Sequence, residues 1–133
     1  MKPKTEKLIF IVDDDPDDRQ IILDAFLKNN ATFDFEFINS ADELLSRLLN
    51  MESDFPDLLL LDLSMPGIMG LQALREIRAN KKYSQIPIVI LTTSNLNTDR
   101  KIAYELGASC FLTKPDSFST MIAYANAMMT LWC

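Results

Sequence analysis

Continuous apolar runs of strand length recur at Leu8 to Val12 (LIFIV), Leu58 to Leu61 (LLLL) and Ile86 to Leu91 (IPIVIL), with a shorter one at Ser109 to Leu112. Runs without alternation suit strands buried on both faces, as in a parallel sheet. Phe33, Phe35 and Phe37 instead alternate with Asp34 and Glu36, the period of an edge strand with one wetter face. Between these segments the apolar spacing turns helical. Asp15 caps and Pro16 starts a first helix that runs to about Lys28 with Ile21, Ile22, Ala25 and Phe26 inward, until Asn29 and Asn30 break it. Ser40 and Glu43 make a capping box ahead of a second helix with the stripe Leu44, Leu45, Leu48 and Leu49. Gly67 and Gly70 precede a third, Leu71 to about Asn80, burying Leu71, Leu74, Ile77 and the stem of Arg78. A fourth, capped by Asn97 or Thr98, reaches Leu106 and is closed by Gly107, and Ser117 opens a fifth. Strands alternating with helices across short joints predict an α/β fold, a doubly wound parallel sheet covered on both faces.

Composition narrows the setting. A chain of 133 residues is long enough for one domain with a real core, so a single domain over 1–133 with no output domain is expected. No run approaches the roughly 18 to 20 apolar residues of a membrane span, and MKPKTEK leads into the first strand without a cleavage signal, so a cytoplasmic protein is expected. Cys110 and Cys133 are too few for a disulfide framework or metal cluster and read as reduced thiols. A net charge of −6 opposes binding to nucleic-acid phosphates. Histidine is absent, which removes Ser-His-Asp and Cys-His triads and imidazole metal sites. Any phosphohistidine chemistry must then come from another protein.

The strand ends carry the candidate chemistry. Asp13 and Asp14 follow the first run, Asp62 follows LLLL, Thr92 follows IPIVIL, and Lys114 follows the last strand. A parallel sheet brings all of these to one edge, where open α/β sheets bind ligands. Each residue also has an ordinary reading: solvated turn for Asp62, helix cap for Asp15, β-former for Thr92, exposed loop lysine for Lys114. The joint pattern is more specific than any member. Carboxylates converging there repel, by roughly 4 kcal/mol for two charges about 4 Å apart at an effective dielectric near 20. A hard divalent cation relieves this, and an all-oxygen set that keeps waters and substrate oxygens suits Mg2+, with Mn2+ as the alternative. Asp62 is then the nucleophile that accepts a phosphoryl group, with Lys114 and the Thr92 hydroxyl offsetting the remaining oxygen charge.

These motifs resemble those of bacterial two-component response-regulator receiver domains over essentially the full length. The matching stretches are IVDDD at 11–15, LLLLDLSMPGIMG at 58–70, IVILTTS at 88–94 and GASCFLTKP at 107–115. The resemblance implies a flavodoxin-like (βα)5 sheet of order 2-1-3-4-5 and a protein that promotes only its own phosphorylation and dephosphorylation. It implies metal binding by Asp13, Asp14, Asp62 and the backbone carbonyl of Ser64, phosphorylation at Asp62, and phosphate contacts from Thr92 and Lys114. It also implies a cis peptide to Pro115 and a switch formed by Thr92 and Phe111, where phenylalanine replaces the tyrosine often found. DDDPDD, TTS and AYELGASCFLTKP further resemble the small stand-alone, chemotaxis-regulator-like proteins that serve bacterial phytochromes. The implied partner is a sensor histidine kinase, phytochrome-type included, or a phosphotransfer protein, with no nucleic acid and no membrane.

The final helix is apolar over more than one face. Phe118, Ile122, Ala125, Met129 and Trp132 form one stripe, with Met121, Met128 and Leu131 beside it. One stripe is core; the other is read as a wider core or as a methionine-rich partner surface, and a homodimer through the fourth and fifth helices is expected. Three other readings compete. An aspartyl-nucleophile, Mg2+-dependent phosphatase needs a second acid two residues after Asp62, where Ser64 stands. A flavin carrier needs a phosphate loop where Asp13 to Asp18 would repel flavin phosphate. A receiver-like interaction module acting without phosphorylation is the third.

Overall fold

The computed structural model describes residues 7–29, 32–64 and 70–133, so Gly67, expected ahead of the third helix, and Asn30, expected to break the first, lie outside the described residues. Five strands alternate with five helices: β1 Lys7–Val12, α1 Pro16–Leu27, β2 Phe33–Ile38, α2 Ala41–Leu49, β3 Leu58–Leu61, α3 Gly70–Ala79, β4 Ile88–Thr92, α4 Asn97–Glu105, β5 Cys110–Thr113 and α5 Phe118–Trp132. The strands form one parallel sheet in the order β2-β1-β3-β4-β5. This is the flavodoxin-like order expected, with the alternating strand β2 at one edge.

Alternation along each strand divides the core. Phe10, Val12, Leu59, Leu61, Ile88, Ile90 and Phe111 face α2, α3 and α4, whereas Ile9, Ile11, Leu58, Leu60, Val89 and Leu91 face α1 and α5. All four leucines of β3 are buried, each stabilising the fold by roughly 1.5–3 kcal/mol. That burial is why the run shows no polar position.

Several helix faces differ from expectation. Ile21 of α1 is 44% exposed and Leu49 of α2 is 69% exposed, because the buried stripe of α1 is rotated to Ile22, Leu23, Ala25 and Phe26 and that of α2 is centred on Ala41, Leu44 and Leu48. In α5 the buried residues are Met121, Ala125, Met128 and Met129, a stripe centred between the two expected ones. Met121 and Met128 are therefore core, which fits the wider-core reading of the second stripe and not the methionine-rich partner surface; Phe118 and Leu131 point outward instead. Helix α4 starts without a side-chain cap, Leu96 holding the position expected of Asn97 or Thr98. Ser94 compensates: its hydroxyl accepts the Leu96 N–H at 3.4 Å and donates to Asp99 at 2.6 Å.

Gly107 ends α4 as expected. Its φ of +102° lets the Gly107 N–H reach Tyr104 O at 3.1 Å and the Ala108 N–H reach Ala103 O at 2.9 Å, the paired bonds of a Schellman ending. Arg78 locks this corner, donating to the carbonyls of Gly107, Tyr83 and Ile86 at 2.9, 3.1 and 2.7 Å. No described helix is long and apolar enough to cross a membrane.

Candidate functional site: a carboxylate cluster at the C-terminal sheet edge

Parallel pairing sets Val12 beside Leu61, the last residues of β1 and β3, and Leu61 beside Ile90, two residues before the end of β4, and the loops leaving these strands meet. The backbone fixes the first acids directly: Asp13 N–H donates to Ile38 O at 3.1 Å and Asp62 N–H to Val12 O at 3.0 Å. Asp13 and Asp62 are thus held at the rim as extensions of the ladder, only 2% and 5% exposed, while Asp14 points to solvent. Carboxylate oxygens of Asp13, Asp14 and Asp62 all lie within 4.8 Å of one another. Asp15 does what its place before Pro16 demands, accepting the N–H groups of Asp17 and Asp18 at 2.9 and 3.3 Å as the cap of α1.

Lys114 reaches into this cluster from the end of β5. Its ammonium lies 2.8 Å from Asp13, 2.7 Å from Asp18 and 3.4 Å from Asp62. Burial pulls the lysine toward deprotonation, but hydrogen bonds to Asp13 and Asp18 and the charge of Asp62 more than offset it, holding the ammonium above the ordinary lysine range. Burial raises the Asp13 carboxyl, opposed by hydrogen bonds from Lys114 and from the Asp15 N–H. One ammonium thus faces an excess of carboxylates. The surplus negative charge and the all-oxygen donor set fit a hard divalent cation.

Thr92 is fully buried beside this group, its hydroxyl 3.5 Å from the Ser64 hydroxyl and accepting the Ser94 N–H at 3.4 Å. Ser64 donates its N–H to Asp62 at 3.2 Å. The Lys114 N–H donates to Thr92 O at 2.7 Å, tying the ends of β4 and β5. The Lys114–Pro115 peptide is trans, correcting the cis bond that the family resemblance implies; the ordinary trans preference of about 0.5–1 kcal/mol prevails here.

Asp13, Asp14, Asp62, Ser64, Thr92 and Lys114 are therefore brought to one rim, as expected. Phe111 stands apart from them, its ring already turned into the core at 1% exposure. Two features escaped the sequence reading. Asp18, an acid that suits the first turn of α1 without any partner, is an ion-pair partner of Lys114, and the signal was its place one turn along a helix that begins at the site. Arg100 and Tyr104 of α4 reach Phe111 through its ring and backbone.

Residues 9–126 match the family model described as the response regulator receiver domain. The response regulator Rcp1 of Synechocystis is 30% identical over 132 residues, covering 95% of this chain and 88% of that protein. PilH of Pseudomonas aeruginosa is 34% identical over 121 residues, covering 91% and 96%. The crystal structure of the Mn2+-bound form of Rcp1 superposes with a TM-score of 0.85 at 27% identity, covering 95% of this chain and 94% of the other. That of the phosphorylated cyanobacterial phytochrome response regulator RcpA gives 0.88 at 27%, covering 96% and 94%. With its family match, its sheet order and its rim of acids around a lysine, the chain belongs to the response-regulator receiver domains.

Proposed function

We propose that this chain is a response regulator that accepts a phosphoryl group on Asp62 from a phosphohistidine of a sensor kinase or phosphotransfer protein. The observation that carries the reading is the placement of a buried Asp62 carboxylate between an acidic pair and the Lys114 ammonium. An Asp62 oxygen attacks phosphorus, the phosphorus–nitrogen bond of the donor breaks, and the imidazole leaves with the electron pair and takes up a proton. Since the chain has no histidine, the imidazole is the partner's. Asp13, Asp14, Asp62 and the Ser64 carbonyl would hold Mg2+ or Mn2+, which supplies charge neutralisation at the phosphoryl oxygens. Lys114 and the Thr92 hydroxyl contact those oxygens. The Mn2+-bound form of Rcp1 and the phosphorylated form of RcpA support both parts.

Acceptance of the group acts as a population shift. Thr92 moves toward the phosphoryl oxygens, and because Phe111 is already inward, the change passes to α4 through Arg100 and Tyr104 rather than through an inward swing of the ring. The exposed Leu96 ahead of α4, Ile102 and Tyr104 of α4 and Leu131 of α5 offer the surface for a partner or a second copy. Phosphotransfer from a sensor kinase, phytochrome-type included, fits a cytoplasmic protein.

Incubation with Mg2+ and acetyl phosphate, followed by intact mass, tests the reading. A gain of one hydroxylamine-labile phosphoryl group, absent in Asp62→Asn, is expected; no gain favours a module that acts without phosphorylation. Sedimentation with and without beryllofluoride tests self-association, and a monomer throughout overturns it.

A further inference from the structure

We propose that Asp18 is a positioning residue: it holds the Lys114 ammonium back from Asp62, and releasing that hold is part of accepting the phosphoryl group. The inference rests on Asp62 being the acceptor. An ammonium has three N–H donors, and here they face Asp18 at 2.7 Å, Asp13 at 2.8 Å and Asp62 at 3.4 Å. The acceptor itself has the longest contact. The donor that faces Asp62 passes to the phosphoryl group once Asp62 carries it, but for the ammonium to close that long contact its hold on Asp13 or on Asp18 must loosen.

Burial decides which one. The side chain of Asp13 is 3% exposed, so a carboxylate abandoned there stays out of water. The Asp18 side chain is 33% exposed, and on release it is hydrated at small cost. Asp18 is also outside the trio whose oxygens converge as cation ligands, so a cation bound there leaves its hold on the lysine in place. Both ends of the restraint are anchored: Asp18 by its N–H on Asp15 in the first turn of α1, Lys114 by its N–H on Thr92 O. The flexible lysine stem between these points lets the ammonium pass from Asp18 to a phosphoryl group that carries more negative charge than one carboxylate.

Asp18 therefore opposes the phosphorylated state. At saturating Mg2+, Asp18→Asn, which keeps the shape and removes the charge, should bind beryllofluoride roughly two- to fivefold more tightly, the range of a partly exposed ion pair. Asp18→Glu, which restores the charge, should return toward the wild type. In a Lys114→Met background the gain from Asp18→Asn should vanish, because there is no ammonium to release. Melting temperature measured on each variant separates this from a merely structural role, in which weaker folding would accompany weaker binding.

Beryllofluoride titrations followed by fluorine NMR give the result. Tighter binding in Asp18→Asn that disappears without Lys114 bears the proposal out. Unchanged or weaker binding overturns it, and so does an equal gain in the Lys114→Met background, which would assign the effect to overall charge. A wild type that binds no beryllofluoride and gains no phosphoryl group from acetyl phosphate refutes the acceptor reading itself, an outcome distinct from a competent wild type with an indifferent Asp18→Asn.

Discussion

The Tyr104 hydroxyl accepts the backbone N–H of Phe111 at 3.0 Å, joining α4 to the outer side of β5. Arg100 donates to the Phe111 carbonyl at 3.3 Å and lays its guanidinium 4.9 Å from the centre of the Phe111 ring. β5 is an edge strand, and these contacts occupy backbone groups that β4 does not use. A side-chain hydroxyl thereby links a helix on the surface to a buried ring. Tyr104→Phe should cost about 0.5–1.5 kcal/mol in urea unfolding, the worth of one neutral hydrogen bond that water partly replaces. It should also blunt the response of α4 amide resonances to beryllofluoride. A variant with wild-type stability and a full α4 response would show that the bond carries nothing.

Lys114 is the counterion of the carboxylate cluster. Removing its ammonium leaves Asp13 and Asp62 charged and nearly buried, and breaking such a pair costs about 3–5 kcal/mol. Lys114→Met should lose that much stability to urea without Mg2+ and less with it, because a cation replaces the missing charge. Equal stability of the two proteins in chelator would contradict the assignment.

Acid should expose the raised Asp13 carboxyl. Burial lifts its folded-state value above the ordinary 3.8, so the stabilisation linked to its protonation is complete below 3.8 and is lost as pH rises through the folded value. At neutral pH the ionised group costs stability until a cation binds. Cation binding needs the ionised form. The gain in melting temperature from Mg2+ should therefore shrink on acidification at a pH above the ordinary carboxylate range, and Asp13→Asn should remove that pH dependence. A gain that stays constant down to that range would count against it.

The parts of the molecule that were legible in the sequence share a physical reason. LIFIV and LLLL read as buried strands because covering both faces leaves no polar position, and the rim was legible because a parallel sheet puts every strand end on one side. Helix α5 was harder. Apolar residues nearly surround it, so no single stripe stands out, and the observed face through Met121, Ala125, Met128 and Met129 runs between the alternatives. Asp18 was hidden by a second sound explanation, since an acid in a first helical turn is favourable without any partner. The uncapped start at Leu96 is invisible locally because Ser94 and Asp99, on either side, satisfy the turn.

Borohydride reduction after incubation with Mg2+ and acetyl phosphate converts an aspartyl phosphate into homoserine and marks the residue that held it. Peptide mass spectrometry is predicted to find homoserine at position 62 and unaltered aspartate at positions 13, 14 and 18. Homoserine at any of those three positions, or at none in a folded protein that binds Mg2+, would contradict Asp62 as the phosphoryl acceptor.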